Sequence, residues 1–370
     1  MHCSSNERFR KRYERERPFY GGGGGGSYGE ADGRRARNGT AENEEFIQRE
    51  FLPQIPFTES ALLSSLLDNV LLNERDCLVI NKPYGVRCFN SEHDETNAQK
   101  RATFQSPVQL TIDRILPQFV EALAKNGNQV AELGIVDGLP PNVSGPIFLS
   151  SSALRTRAIM RARKRAFSVP TRNRDFMKAL VLCNGQPRPL SGEGTVRSRM
   201  RNVNGIQMNV IEPNEPNKTE RRMQIVNETH CKHRTLGTAA HCSLVELTFC
   251  KFRRHLPRLY LTMLGAPPLG DVYQQHVTRV FGRNVLVTPN MIGPHLLVPP
   301  MELLKRLDLK VSDFYRLPMF FHVFAKRMSG VFDRKDTETV INAPLPEYFM
   351  NLLERLQLDT CLDRIENNGS

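Results

Sequence analysis

The 370-residue chain predicts a mixed α+β domain, and three observations lead there. Short β-type runs outnumber helical ones, the two kinds do not alternate regularly, and the apolar share of 39% suits a buried core. No stretch approaches the roughly 18 uncharged apolar residues of a membrane helix, so no membrane insertion is expected.

The elements follow in order. Thr58 is an N-cap candidate for a helix whose apolar positions Leu62, Leu63, Leu66, Leu67 and Val70 recur at helical spacing. Cys77-Leu78-Val79-Ile80 reads as a buried strand closed by Asn81-Lys82-Pro83-Tyr84-Gly85. Residues 108–124 have a helical period interrupted near Pro117. Further strands are expected at 130–136, 145–150, 174–183, 206–211, 223–228 and 243–249. Helices are expected at 151–166, 254–264, 300–308 and 346–356. The Pro-, Asn- and Arg-rich stretch 186–222 reads as an excursion from the core.

A net charge of +12 points to an anionic partner, with RNA first among the candidates. Residues 1–50 read as a disordered basic tail, because Arg8-Phe9-Arg10-Lys11-Arg12-Tyr13, the glycine run Gly21 to Gly26 and Arg34-Arg35-Ala36-Arg37 bury little apolar surface. Glu7, Glu14 and Glu16 count against a transit peptide there. Eight irregularly spaced cysteines favour reduced thiols. His230, Cys231, His233, His241 and Cys242 cluster, but without the paired spacing of a zinc site, so no metal is expected.

Six segments carry a family resemblance. Asp76 to Gly85 ends in an N-K-P-x-G turn. Val136-Asp137-Gly138-Leu139-Pro140-Pro141-Asn142-Val143-Ser144-Gly145 precedes the apolar run Pro146-Ile147-Phe148-Leu149. Asp175 to Val181 is a K-x-Y-x-A-x-V-like strand. Arg253-Arg254-His255-Leu256-Pro257-Arg258 is similar to R-T-H-Q-I-R, Leu264 to Tyr273 to L-G-x-P-I-x-G-D-x-x-Y, and Ala343-Pro344-Leu345-Pro346 to A-P-L-P. In this order they resemble the RluA-type pseudouridine synthases, and within them a divergent mitochondrial mRNA branch, which Val277 to Leu286 also resembles.

The resemblance implies a pseudouridine synthase-like, mostly antiparallel sheet with flanking helices around a central RNA cleft. It covers residues 70–358, leaving 359–370 as a tail. It implies conversion of uridine to pseudouridine in mitochondrial mRNA or rRNA without cofactor or metal. It also implies a location in the mitochondrial matrix, and other mitochondrial RNA-processing proteins as possible company.

The catalytic aspartate of the family falls on Pro140 when the segments are aligned on Ser144-Gly145. Arg258, which in the family holds that aspartate, keeps its place without its partner. A buried guanidinium without a counter-charge costs several kcal/mol, and three outcomes stand open. Asp137 substitutes as the carboxylate, an RNA phosphate fills the gap, or Arg258 is exposed. Phe176, set at the tyrosine position of the family, either stacks on a flipped uracil or packs in the core. Arg253 and His255 face a phosphate or the pocket, or belong to a plain basic helix. The helix from Ser152 carries Arg155, Arg161, Lys164 and Arg165 as an RNA-backbone stripe or a solvated face. The alternative to a synthase is a catalytically inactive RNA-binding protein that supports mitochondrial ribosome or mRNA maturation.

Overall fold

A computed structural model describes residues 50–74, 76–89, 110–125, 132–168, 176–203, 206–212, 215–223, 225–250, 252, 255–271, 276–280, 283–287, 299–314, 316–332 and 338–366. The tail over 1–49 and Arg253 lie outside the described residues, and so does the side chain of Arg165.

Helix α1 (Glu59–Asp68) starts where the sequence places its cap: Thr58 Oγ1 accepts from the amide of Ala61 at 3.2 Å. Strands β1 (Val70–Glu74) and β2 (Cys77–Lys82) form a hairpin. Helix α2 (Ile112–Lys125) runs unbroken through Pro117, against the expected interruption. Its face of Ile112, Ile115, Leu116, Phe119 and Leu123 is buried, and that burial offsets the roughly 3 kcal/mol an interior proline costs. Strands β3 (Gly134–Asp137) and β4 (Gly145–Ser150) complete a four-stranded antiparallel sheet in the order β1-β2-β4-β3. Every residue of β2 and β4 is buried, which explains their unbroken apolar runs. Helix α3 (Ala153–Ser168) follows, capped by Ser152 Oγ, which accepts from the amides of Leu154 at 3.2 Å and Arg155 at 3.3 Å.

The second sheet has seven strands, all neighbours antiparallel. These are β5 (Phe176–Asn184), β6 (Ser191–Val203), β7 (Ile206–Ile211), β8 (Val226–Ala239), β9 (Cys242–Phe249), and, later in the chain, β12 (Phe321–Ser329) and β13 (Glu338–Asn342). Their order is β13-β12-β5-β9-β8-β6-β7. The stretch 186–222 is therefore largely sheet rather than an excursion. Its polar residues hide the strand period because charge pairs hold it: Arg197 reaches Glu228 across the ladder at 3.2 Å and Arg199 reaches Glu212 at 3.2 Å. Short α4 (Lys218–Arg222) lies between β7 and β8.

Helix α5 (Leu256–Met263) comes after β9, then the two-stranded pair β10 (His276–Val280) and β11 (Arg283–Val287). Helices α6 (Met301–Leu307) and α7 (Val311–Phe314) precede β12, and α8 (Glu347–Leu356) follows β13. The residues expected as a tail from 359 fold instead, as a 3-10 turn (Asp359–Cys361) and α9 (Asp363–Glu366). Buried Cys361 and a hydrogen bond from Arg364 to the Leu236 carbonyl fasten them to β8.

A backbone contact at Ser144 joins the two sheets. The amide of Val323 donates to the Ser144 carbonyl at 2.9 Å, and Ser144 forms a parallel bridge to His322. Gly145 has φ +136°, and a Cβ there would overlap the backbone carbonyl of Val323. Only glycine fits. Beneath this contact the Ser144 hydroxyl lies 2.9 Å from His322 Nδ1, and His322 Nε2 donates to the Ala343 carbonyl at 3.2 Å. Burial holds this imidazole down at about 4, partly opposed by its bond to Ala343.

Candidate functional site

The segment Pro140-Pro141, where the sequence reading looks for a reactive aspartate, is held by the turn after β2. The Lys82 ammonium, fully buried, donates to the carbonyls of Pro83 and Val86 at 2.8 Å and of Pro141 at 3.3 Å. The amide of Gly85 adds a bond to the Pro141 carbonyl at 2.7 Å. Burial lowers the Lys82 pKa to about 8, partly opposed by Cys88. The N-K-P-Y-G turn thus fixes the course of Pro140-Pro141. A cavity of about 370 Å³ opens beside it, lined among others by Lys82, Tyr84, Ser144 and Tyr348.

Asp137 closes β3 and is buried at 6% exposure. Its Oδ2 accepts from Lys326 Nζ at 2.9 Å, and Oδ1 lies 3.2 Å from Arg163 Nε. Lys326 on β12 is itself fully buried, with its ammonium 5.8 Å from the ring centre of Phe148. Arg163 also donates to the Val136 carbonyl at 3.1 Å. The carboxylate thus binds together β3, β12 and α3.

Arg258 follows none of the three outcomes expected for it. It is 1% exposed, and Asp271 supplies the missing carboxylate: Nε donates to Oδ2 at 2.9 Å and Nη2 to Oδ1. The turn before Asp271 makes this approach. Gly270 has φ +76°, and a Cβ there would overlap the Pro318 carbonyl, so the chain passes against that backbone and tucks Asp271 under α5. Arg258 Nη1 lies 2.9 Å from His255 Nδ1. A guanidinium only donates, so Nδ1 is the acceptor and the proton of a neutral His255 sits on Nε2. Burial first, and the Arg258 charge second, lower this imidazole to about 3 against an opposing pull from Asp271. His255 adopts φ 61° and its carbonyl accepts from the amides of Arg258 and Leu259, turning the chain into α5.

The sheet register separates Phe176 from Asp137. Directly paired strand residues share a face, and neighbours along a strand alternate. Met177 pairs with Lys326, so Met177 faces the Asp137 side, and Phe249 opposite it packs on Phe252 and Phe321. Phe176 pairs with Arg327 on the other face, with Arg327 Cζ at 5.4 Å and Lys178 Nζ at 5.8 Å from its ring centre. A one-residue slip in matching the K-x-Y-x-A-x-V pattern exchanges these faces. The pattern itself, anchored on Ala179 and Val181, puts the aromatic place on Met177.

The basic helix is divided too. Arg155 points inward: Nε donates to Asp76 Oδ1 at 3.0 Å, Nη1 bonds the Val331 carbonyl, and the group lies 5.0 Å over Phe332. Arg161 and Lys164 are exposed. The histidine and cysteine cluster is spread over β8 (His230, Cys231, His233), the turn after it (His241) and the start of β9 (Cys242). His233 lies 2.8 Å from the Tyr260 hydroxyl and 2.9 Å from the Pro189 carbonyl, and among the described residues no group of three possible ligands gathers.

Sequence reasoning missed Lys326, Arg163 and Asp271 as site-forming residues. Lys326 had a signal, a lysine inside the apolar run Phe320 to Met328. Asp271 had one in the G-D turn.

Two antiparallel sheets joined at a Ser-Gly crossing, with an arginine helix start and a Gly-Asp turn behind it, make up the pseudouridine synthase fold. The structure of human RNA pseudouridylate synthase domain containing 4 shares it at TM-score 0.54 and 18% identity, over 81% of this chain and 97% of that one. The sequence resembles the same class. Mitochondrial mRNA pseudouridine synthase RPUSD3 of Bos taurus is 25% identical over 305 residues, 82% of this chain and 81% of the relative. Mitochondrial pseudouridylate synthase RPUSD4 of Xenopus tropicalis is 24% identical over 310 residues, 80% of this chain and 82% of the relative. No family model matches the chain.

Proposed function

We propose that this protein binds mitochondrial RNA, mRNA or rRNA, and converts uridine to pseudouridine. In that reaction the N1–C1′ bond of uridine breaks, the uracil turns, C5 bonds to C1′, and the proton leaving C5 is balanced by one gained at N1. The reading rests on one observation: likeness to mitochondrial pseudouridine synthases runs through 82% of the chain rather than through one module. The folded domain over 70–358 is the part we assign to this activity, and the mitochondrial matrix is its proposed place of action.

Asp137 is the carboxylate we assign to the chemistry, with Lys326 and Arg163 at its two oxygens. Pairing of an acid with a basic side chain is what the family uses, here built from different residues. Arg253 is proposed as a basic contact to RNA, Arg258 and His255 as the residues that hold the start of α5 at the site, and Phe176 as an RNA contact on the far face of the sheet. A second reading, RNA binding without catalysis, is favoured by one specific observation: the position of the family aspartate is Pro140, and both cations at Asp137 are spent on holding three elements together.

The test maps pseudouridine at single-nucleotide resolution after incubation of the purified protein with uridine-containing RNA, beside Asp137→Asn. Product that disappears in the folded variant supports catalysis by Asp137. Product unchanged in the variant removes Asp137 from the mechanism. Salt-sensitive binding with no product supports the second reading, and no RNA binding removes both.

A further inference from the structure

Helix α3 carries six basic residues between Arg155 and Arg165, and the structure sorts those it describes into two groups. Arg155 and Arg163 are spent inward on Asp76 and Asp137. Arg157, Arg161 and Lys164 are exposed. Among the described residues Arg157 and Arg161 meet no carboxylate, and the outward face of the helix holds no acid at all.

That same face also carries two apolar side chains out of place on a solvated surface. Leu154 is 70% exposed and Met160 is 50% exposed. Positions 154, 157, 161 and 164 follow helical spacing, so the leucine and the cations form one stripe, with Met160, three residues from Arg157 and four from Lys164, along its edge. The inner face is equally definite, because Ile159 and Ala162 pack into the core with Phe148 and Met328.

We infer that the outward face of α3 is a contact surface for unpaired RNA, with Arg157 and Arg161 on phosphates and Leu154 and Met160 against exposed base faces. This rests on the RNA-binding reading above and deepens it to a preference for loops and single strands. The reason is chemical. An A-form duplex presents phosphates and 2′-hydroxyls and hides its base faces in the stack, whereas unpaired segments splay their bases. A purely basic face would serve both alike. Apolar side chains interleaved with cations gain only where a base face is free to cover them.

The experiment measures affinity of the full chain for a uridine-rich single strand and for a duplex of equal length, over a range of salt. Wild type should prefer the single strand. Leu154→Ser/Met160→Ser should lower single-strand affinity about fivefold to tenfold, from lost apolar burial. Its salt dependence and its duplex affinity should not change. Arg157→Gln/Arg161→Gln should weaken both RNAs and reduce the slope of log affinity against log salt by about 1.4 on the single strand, roughly 0.7 per phosphate. All four positions are exposed, and equal thermal melts verify folding. Equal wild-type affinity for single strand and duplex, or wild-type behaviour of either double variant, overturns the inference, including the case where this face serves a protein instead. Loss of binding to every RNA by the wild type would instead strike the functional reading itself.

Discussion

Removing one partner of the Arg258–Asp271 pair should destabilise the protein, and removing both should restore much of the loss. Both side chains are almost wholly buried, at 1% and 2% exposure. Replacing Asp271 by leucine leaves a buried guanidinium with His255 as its neutral neighbour, and Arg258→Leu leaves a buried carboxylate. Breaking such a pair costs about 3–5 kcal/mol. One compact unit spans Ile47–Ser370. At about 2.1 cal/mol/K per residue its unfolding entropy is roughly 0.7 kcal/mol/K, so the midpoint should fall by about 4–7 °C for each single variant. Arg258→Leu/Asp271→Leu should lose clearly less than the sum, because the two charges vanish together. Differential scanning calorimetry of the four proteins reads this directly. Single variants that melt with the wild type, or a double variant whose loss equals the sum, would refute a mutually neutralised pair. Such results would reopen the idea that Arg258 waits for some other anion.

Further expectations follow from other contacts. Lys326→Met leaves Asp137 with Arg163 alone and should cost several kcal/mol, while Asp137→Leu/Lys326→Met should recover part of it in urea titrations; an unchanged midpoint for Lys326→Met contradicts the buried clamp. Gly145→Ala forces a side chain into Val323 and a φ of +136° on alanine, so soluble yield and melting temperature should both drop sharply, whereas Ser144→Ala should be milder. His322 is fully buried with its pKa lowered from 6.5 to about 4. The unfolded state therefore binds more protons between these values, and stability falls as pH drops from about 6.5 towards 4. About 2.5 pH units at 1.36 kcal/mol each give roughly 3 kcal/mol by pH 4. His322→Asn should flatten that part of the stability–pH curve, and an identical slope in the variant would count against it.

The elements most legible in the sequence are those whose burial is uniform. Strands β2, β4 and β9 centre on apolar runs because nearly every position in them is buried, and α1 declares itself through Thr58. Whereas β7 falls on the expected 206–211, strand β6 and the long strand β8 were harder to see. Their partners are charges such as Arg197 and Glu228, and their buried positions are filled by Cys231 and His233, which carry no strong hydrophobic period. The site was half legible. The Ser-Gly pair, the basic start of α5 and the G-D turn are visible as motifs. The motif of one segment does not reveal its partner in another, so nothing local announced that Asp271 would answer Arg258 or that Lys326 would answer Asp137. Phe176 shows how small the margin is: one position along β5 decides which side of the sheet a ring occupies.

Helix α3 is pinned at two places, by Arg155 on Asp76 and Arg163 on Asp137. Those anchors stand eight residues apart, about 12 Å along the axis. A rod fastened twice cannot roll, so the bearing of its outer side is dictated by two acids that lie on other elements. Exchange either acid and the outward arginines would swing to a new heading, though no residue of the helix itself had been touched.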